Sequence, residues 1–258
     1  TVFRDLERVM LSGEHIVQRE VDSSIILFDA IAVVLWLCAL YINKQWKAMM
    51  FCGIGFVVYY IVDAIIWMAI MKVRVIESSM NPYLLEIWLQ LGPGVIHPSF
   101  FCLMLEGTFG PQRKETRREL WIILFIGVQF VPAFLQASIK FHNTIRVCRF
   151  MSSQRWLFLL VAVLGYLYLE INHVSGTNML KIFMYCVMVE GFFELSLLFS
   201  GIREATLQTI FIDSILEFNV GAGAIVAIWR ALYSKKERTL MDFGPEGFKQ
   251  KEEKDPSV

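Results

Sequence analysis

Long apolar stretches recur along the chain and are separated by short polar segments. Seven of them are apolar enough to cross a bilayer as helices, which takes about 20 residues each. They cover residues 25–42, 48–71, 83–105, 120–137, 156–170, 179–202 and 209–232. No repeat with a period of roughly 20–50 residues is visible. The pattern predicts an all-α polytopic membrane protein, a seven-helix transmembrane bundle over residues 25–233.

The two ends of the chain differ from this apolar pattern. Over residues 1–24, charged residues alternate with apolar ones at near-helical spacing. We expect an amphipathic N-terminal helix on the membrane surface, although a polar helix without membrane contact fits the pattern equally well. Residues 234–258 are charged and contain Gly and Pro, so we expect a loosely ordered tail.

Composition supports the membrane assignment and excludes other classes. Hydrophobic residues make up 56% of the chain, and 24 basic residues balance 24 acidic ones. Disordered proteins combine low hydrophobicity with high net charge, and nucleic-acid binders carry a basic excess, so both classes are excluded. We expect an integral multi-pass protein of the endoplasmic reticulum membrane in a eukaryote, or of the cell membrane otherwise. The oligomeric state is not indicated.

Carboxyl groups inside the predicted spans are the main chemical signal. A charge at the centre of a bilayer costs at least ~2.5–3.5 kcal/mol, and intramembrane acids are therefore commonly functional. No basic residue of the spans lies at the same depth, so we expect the acids to be protonated, hydrogen-bonded or exposed to an internal cavity. The acids in or near the spans are Asp29, Asp63, Glu86, Glu190, Glu194, Asp213 and Glu217.

Five of these acids are the candidate catalytic residues. Glu190 and Glu194 are four residues apart, as are Asp213 and Glu217, so each pair shares one helix face. A closely spaced pair cannot ionise fully at low cost, so one member could donate a proton. Asp63, near the middle of its span, is the strongest single candidate. The same acids could instead hydrogen-bond to other helices and hold the bundle together.

Aromatic and irregular positions suggest a substrate-binding wall. The third span contains Gly92, Pro93, Gly94 and Pro98, which disrupt a regular helix. Irregular backbone at membrane depth survives where it lines a cavity, although a simple proline kink is the common alternative. Aromatic rings beside an acid would suit a cationic intermediate through cation–π attraction. The candidate substrate-binding residues are Tyr59, Tyr60, Trp67, Trp88, His97 and Tyr166.

Metal and cofactor motifs are missing from the sequence. It contains no HExxH motif, no acidic cluster for magnesium diphosphate and no GxSxG elbow. The five cysteines are scattered singly and have neither zinc spacing nor a disulfide framework. We therefore expect no metal and no cofactor.

Two short stretches resemble the small integral-membrane terpene cyclases of fungal meroterpenoid and indole-diterpene pathways. They are Tyr-Ile-Asn-Lys at 41–44, leading through Phe-Cys at 51–52 to Tyr-Ile-Val-Asp at 60–63, and Phe-Ile-Asp-Ser at 211–214. The chain has Val-Asp at 62–63 where that family usually has Trp-Glu. The resemblance implies a seven-helix bundle in which Asp63 donates a proton and Asp213 is a second acid.

Three functions remain open from the sequence. The leading hypothesis is an intramembrane, metal-independent enzyme, a cyclase or isomerase, that acts on a lipid-soluble, isoprenoid-like substrate by acid-initiated carbocation chemistry. The expected partners are a hydrophobic small molecule and the lipid bilayer, without nucleic acid. The second hypothesis is a proton-coupled transporter or channel, and the third is a receptor or complex subunit in which the acids are structural.

Overall fold

The computed structural model describes residues 16–109, 117–150, 154–171, 179–203 and 214–243. A π-helical segment, Ile61–Ile70, directly continues the α-helix that ends at Tyr60. In chain order the elements are β1 (Ile16–Asp22), α1 (Ser24–Ile42), α2 (Trp46–Tyr60), β2 (Arg74–Glu77), α3 (Pro82–Leu89), α4 (Leu91–Phe109), α5 (Arg118–Ser138), β3 (Thr144–Phe150), α6 (Gln154–Ile171), α7 (Met179–Phe199) and α8 (Ser214–Phe243).

The predicted helical membrane bundle is confirmed. Within the described residues, each of the seven predicted stretches corresponds to helix, with α2 and the π-helical segment forming the second span and α3 and α4 the third. Five of these spans are long and apolar enough to cross a bilayer. The other two contain shorter apolar helical stretches, Leu157–Ile171 and Phe218–Leu232.

Both ends of the chain depart from the sequence prediction where the structure describes them. The predicted N-terminal helix is wrong over Ile16–Asp22, which is the strand β1, because this segment pairs along its whole length with β3. Residues 1–15 lie outside the described part. The predicted loose tail is wrong for residues 234–243, because α8 continues to Phe243 before the described part ends.

A three-stranded antiparallel sheet, which the sequence analysis did not predict, covers one end of the bundle. Its strand order is β1-β3-β2. These strands precede the first span and follow the second and fourth spans, so in an alternating bundle they lie on the same side. Arg203, which follows the sixth span, joins the sheet through a single bridge to Arg19 of β1. The sheet is therefore assembled from segments that are far apart in sequence.

The third span is interrupted between α3 and α4, as predicted, but the break lies at Gln90. The glycines and prolines at 92, 93, 94 and 98 that predicted it lie within the continuous helix α4. The start of the span is well defined: the Asn81 side chain accepts hydrogen bonds from the backbone N–H groups of Tyr83 (3.0 Å) and Leu84 (3.3 Å), and Pro82 occupies the first helical position. The two helices meet at Gln90. The interruption brings the Gln90 side chain to the end of the bundle that the sheet covers.

The densest packing lies in the half of the bundle away from the sheet. Trp36 is fully buried there, and its indole N–H donates to the Ser99 hydroxyl at 2.8 Å. The rings of Phe100 and Phe125 stack at 4.0 Å beside it. The half of the bundle next to the sheet is less filled, and it contains the cavity described below.

Candidate functional site

A cavity of about 500 Å³ lies between the helices, beneath the sheet. Ligand pockets in proteins typically enclose about 300–1,000 Å³ and have mainly apolar walls. All seven spans and the sheet contribute to the wall, which consists mostly of aliphatic and aromatic side chains. Its charged and strongly polar residues are Arg19, Asp29, Asp63, Arg74, Gln90, His97, Gln129, Arg149 and Glu190.

Asp63 is held between two arginines of the sheet. Its Oδ2 lies 3.3 Å from Nη1 of Arg74 and 3.4 Å from Nη2 of Arg149. The Gln90 side-chain amide also donates to Oδ2. Two guanidinium groups and an amide donor therefore fix the Asp63 side chain at the sheet end of the cavity.

The same network includes a second buried acid. Arg74 donates two hydrogen bonds to Glu86, from Nε at 3.1 Å and from Nη2 at 2.9 Å. Arg74 and Arg149 stand opposite each other on β2 and β3, where like charges would normally repel. The two carboxylates balance the two guanidinium groups, which allows this arrangement to be buried.

The prediction that the intramembrane acids lack basic partners is therefore wrong for Asp63 and Glu86, and also for Glu194. Arg19 donates to Glu194 at 2.9 Å, and Arg203 forms a further ion pair with it. The cations come from the sheet rather than from the spans. The available sequence signal was the enrichment in β-branched residues, Val-Arg-Val-Ile at 73–76 and Thr-Ile-Arg-Val at 144–147, which is typical of strands.

Asp29 differs from these paired acids. It lies in α1, lines the cavity, and makes no hydrogen bond or ion pair to any described residue. The position of a Cβ built on Gly92 is 3.4 Å from its Oδ2, so the glycine leaves room for this carboxyl group. The sequence places Asp29 among the intramembrane acids, but it was not one of the predicted site residues.

The structure brings together about half of the predicted site residues. Asp63, Glu190, Tyr59, Trp67 and His97 all line the cavity. The imidazole of His97 is surrounded by aromatic rings, with centroid distances of 5.0 Å to Phe193, 6.2 Å to Phe218 and 6.5 Å to Tyr59. The interrupted third span forms a wall of the cavity, which agrees with the cavity-wall interpretation rather than with a simple proline kink.

The other predicted residues lie elsewhere. Tyr60 is not part of the cavity wall, and Trp88 is 43% exposed on the outer surface. The Tyr166 hydroxyl donates to the side chain of Asn219 between α6 and α8. Glu194 is buried in its ion pairs outside the cavity wall. Asp213, and the side chain of Glu217, lie outside the described part.

Comparison of the chain with protein-family models, curated proteins and solved structures gives no match. Within the described residues, no group of three or more His, Cys, Asp or Glu side chains is arranged to hold a metal ion.

Proposed function

We propose that the protein is an intramembrane enzyme that converts a lipid-soluble, isoprenoid-like substrate by acid-initiated carbocation chemistry. The observation that carries the proposal is the cavity of about 500 Å³, whose wall is largely apolar and aromatic but which also contains carboxyl groups. An apolar cavity favours a hydrophobic substrate, and carboxyl groups supply the proton transfers that such a reaction needs.

Asp29 is the best-placed proton donor in the described part of the chain. A carboxyl group at membrane depth without a cationic partner favours its neutral, protonated form. Asp63, to which the resemblance gave this role, is instead engaged by two arginines of the sheet. We therefore assign protonation of the substrate to Asp29, and acceptance of the final proton to a carboxylate of the cavity wall, with Asp63 and Glu190 as the candidates.

The aromatic wall suits a cationic intermediate. Tyr59, Trp67, Phe193 and Phe218 all present rings to the cavity. The negative face of an aromatic ring attracts a cation by roughly 2 kcal/mol where water is excluded. The apolar surroundings would also keep water away from the carbocation, so that ring closure or proton loss competes with hydration.

The proposal is tested by incubating purified protein with a polyprenyl epoxide and identifying products of unchanged mass by mass spectrometry. We expect the wild type to form cyclised or rearranged isomers. Asp29→Asn should abolish them while leaving the fold intact, because no ion pair is broken. Glu119→Gln, which changes an exposed acid in the first turn of α5, is the matched control and should retain activity. Isomer formation by Asp29→Asn at the wild-type rate would refute the assigned role.

Proton-coupled transport is the competing hypothesis, and the same variants can be used to test it. Uptake into proteoliposomes driven by a pH gradient, together with the absence of any isomerised product, would replace the enzyme proposal with the transporter. The receptor or subunit hypothesis predicts neither activity, and its structural acids correspond to Glu86 and Glu194, whose ion pairs fix the sheet to the helices.

A further inference from the structure

The cavity opens sideways towards the lipid. Several residues that line it are also exposed on the outer surface of the bundle. They belong to three spans: Val58 (50% exposed) and Ile66 (36%) in the second, Leu157 (51%) and Val161 (39%) in the fifth, and Ile228 (37%) in the seventh. A side chain that lines the cavity and is exposed outside marks an opening in the wall.

The opening extends from the sheet end of the fifth span, where Leu157 lies three residues after the start of α6, to the depth of the hydrocarbon core. Val58 is twelve residues from either end of the 25-residue second span, Trp46–Ile70. Ile228 lies in the apolar stretch Phe218–Leu232 of the seventh span, and both residues are apolar. Surfaces of membrane-spanning helices at this depth contact lipid chains, so the medium outside the opening is hydrocarbon.

The edge of the opening nearest the sheet is closed by aromatic packing. The ring centroids of Trp67 and Phe158 are 5.5 Å apart, joining the second span to the fifth. The Arg149 guanidinium lies over the Trp67 ring at 4.6 Å, which ties this ring pair to the sheet. Small residues of the seventh span leave space beside it, and a Cβ added to Gly221 would meet only the Ile225 side chain, at 3.6 Å.

We propose that this opening between the second, fifth and seventh spans is a lateral portal through which a linear hydrocarbon chain enters the cavity directly from the bilayer. The occupant is an apolar chain because the residues around the opening are aliphatic and offer it no hydrogen bond. The portal is inferred from the shape of the cavity and does not depend on which reaction follows, so it can be tested without turnover.

The test is photo-crosslinking in proteoliposomes with two probes, a phosphatidylcholine with a diazirine on one acyl chain and a polyprenol with a diazirine near its end. Labelled residues are mapped by mass spectrometry. Ile96 and His97 line the cavity and are only 1% exposed, so lipid on the outer surface of the bundle cannot reach them. Ile123, which is 66% exposed on the fourth span, serves as the internal standard for surface labelling.

Two variants should change the labelling of Ile96 and His97 in opposite directions. Gly221→Leu fills the space at the portal and obstructs entry of the probe, so labelling should fall roughly fivefold, which corresponds to about 1 kcal/mol. Phe158→Ala removes one ring of the closing pair, and labelling should rise. Gly127→Leu is the matched control: a Cβ there meets nothing within 4 Å, and Gly127 does not line the cavity.

Labelling of the buried pair by either probe, lowered in Gly221→Leu and unchanged in Gly127→Leu, would support the portal and show which chain it admits. Normal labelling of Ile123 in every variant shows that the bundle is intact. Absence of label at Ile96 and His97 with both probes would overturn the proposal, as would labelling that Gly221→Leu leaves unchanged. Neither result depends on the isomerisation assay, so the two proposals fail separately.

Discussion

Replacing Arg74 by methionine should destabilise the protein far more than an equivalent change elsewhere in the sheet. The Arg74 guanidinium contacts the carboxylates of both Glu86 and Asp63. Methionine keeps an unbranched apolar side chain of similar reach but carries no charge. Asp63 would keep Arg149, whereas Glu86, whose side chain is fully buried, would lose the cation that contacts it.

The expected loss of stability follows from the buried negative charge that the substitution leaves without a cation. The cluster of two arginines and two carboxylates is neutral, and the substitution leaves it with one uncompensated buried negative charge. Breaking a buried ion pair from one side typically costs ~3–5 kcal/mol. For a chain of this size, such a loss lowers the melting temperature by roughly 6–20 °C.

The matched control is Arg146→Met on strand β3. Arg146 pairs with Glu20 at 3.1 Å, but both side chains are about half exposed, at 48% and 53%. An exposed pair contributes about 0–1 kcal/mol, so the melting temperature should change little. The assay is the apparent melting temperature of each purified variant in one detergent at one scan rate.

A second substitution separates lost charge balance from lost packing. Adding Glu86→Gln to Arg74→Met removes the uncompensated negative charge and should recover part of the lost stability. The reasoning is refuted if Arg74→Met is no more destabilising than Arg146→Met. It is also refuted if Glu86→Gln makes the Arg74→Met protein less stable still.

Three further predictions concern packing, pH and thiol reactivity. Gly55→Ala should lower stability by ~1–3 kcal/mol, because the added Cβ would clash with the Gly94 carbonyl oxygen and the Pro98 ring. Gly53→Ala, whose added Cβ meets nothing within 4 Å, should be neutral in the same thermal assay. Partial burial raises the pKa of Asp22, but the backbone N–H groups of residues 141 and 24 donate to its carboxylate and bring the pKa below its usual value. Its contribution to stability is therefore fully present above about pH 4 and lost as the pH falls through the lowered folded-state pKa. Melting curves from pH 7 to pH 3 should show a wild-type advantage over Asp22→Asn that shrinks only at the acidic end, and an advantage that grows there would contradict this. Burial, aided by a nearby carboxylate, raises the pKa of the Cys148 thiol, so a water-soluble maleimide should modify it only after unfolding, and rapid modification of the native protein would contradict its burial.

The sequence alone determined the membrane bundle. A spanning segment must satisfy its own backbone hydrogen bonds and present apolar side chains to lipid, and both requirements are local. They fix the seven helical stretches and predict an irregular third span near residues 92–98, close to the observed break at Gln90. A cavity wall is one of the two interpretations that this irregular span allows, and the structure agrees with it.

The tertiary structure decided which acids are available for chemistry. Strands of four to seven residues carry a weak local signal, and their pairing depends on segments distant in sequence. Arg149 reaches Asp63 across 86 positions, and Arg19 reaches Glu194 across 175. The sheet places cations beside these carboxylates, whereas no strand side chain of the described part pairs with Asp29 in α1. The long-range placement of a few arginines therefore separates the structural acids from the proposed proton donor.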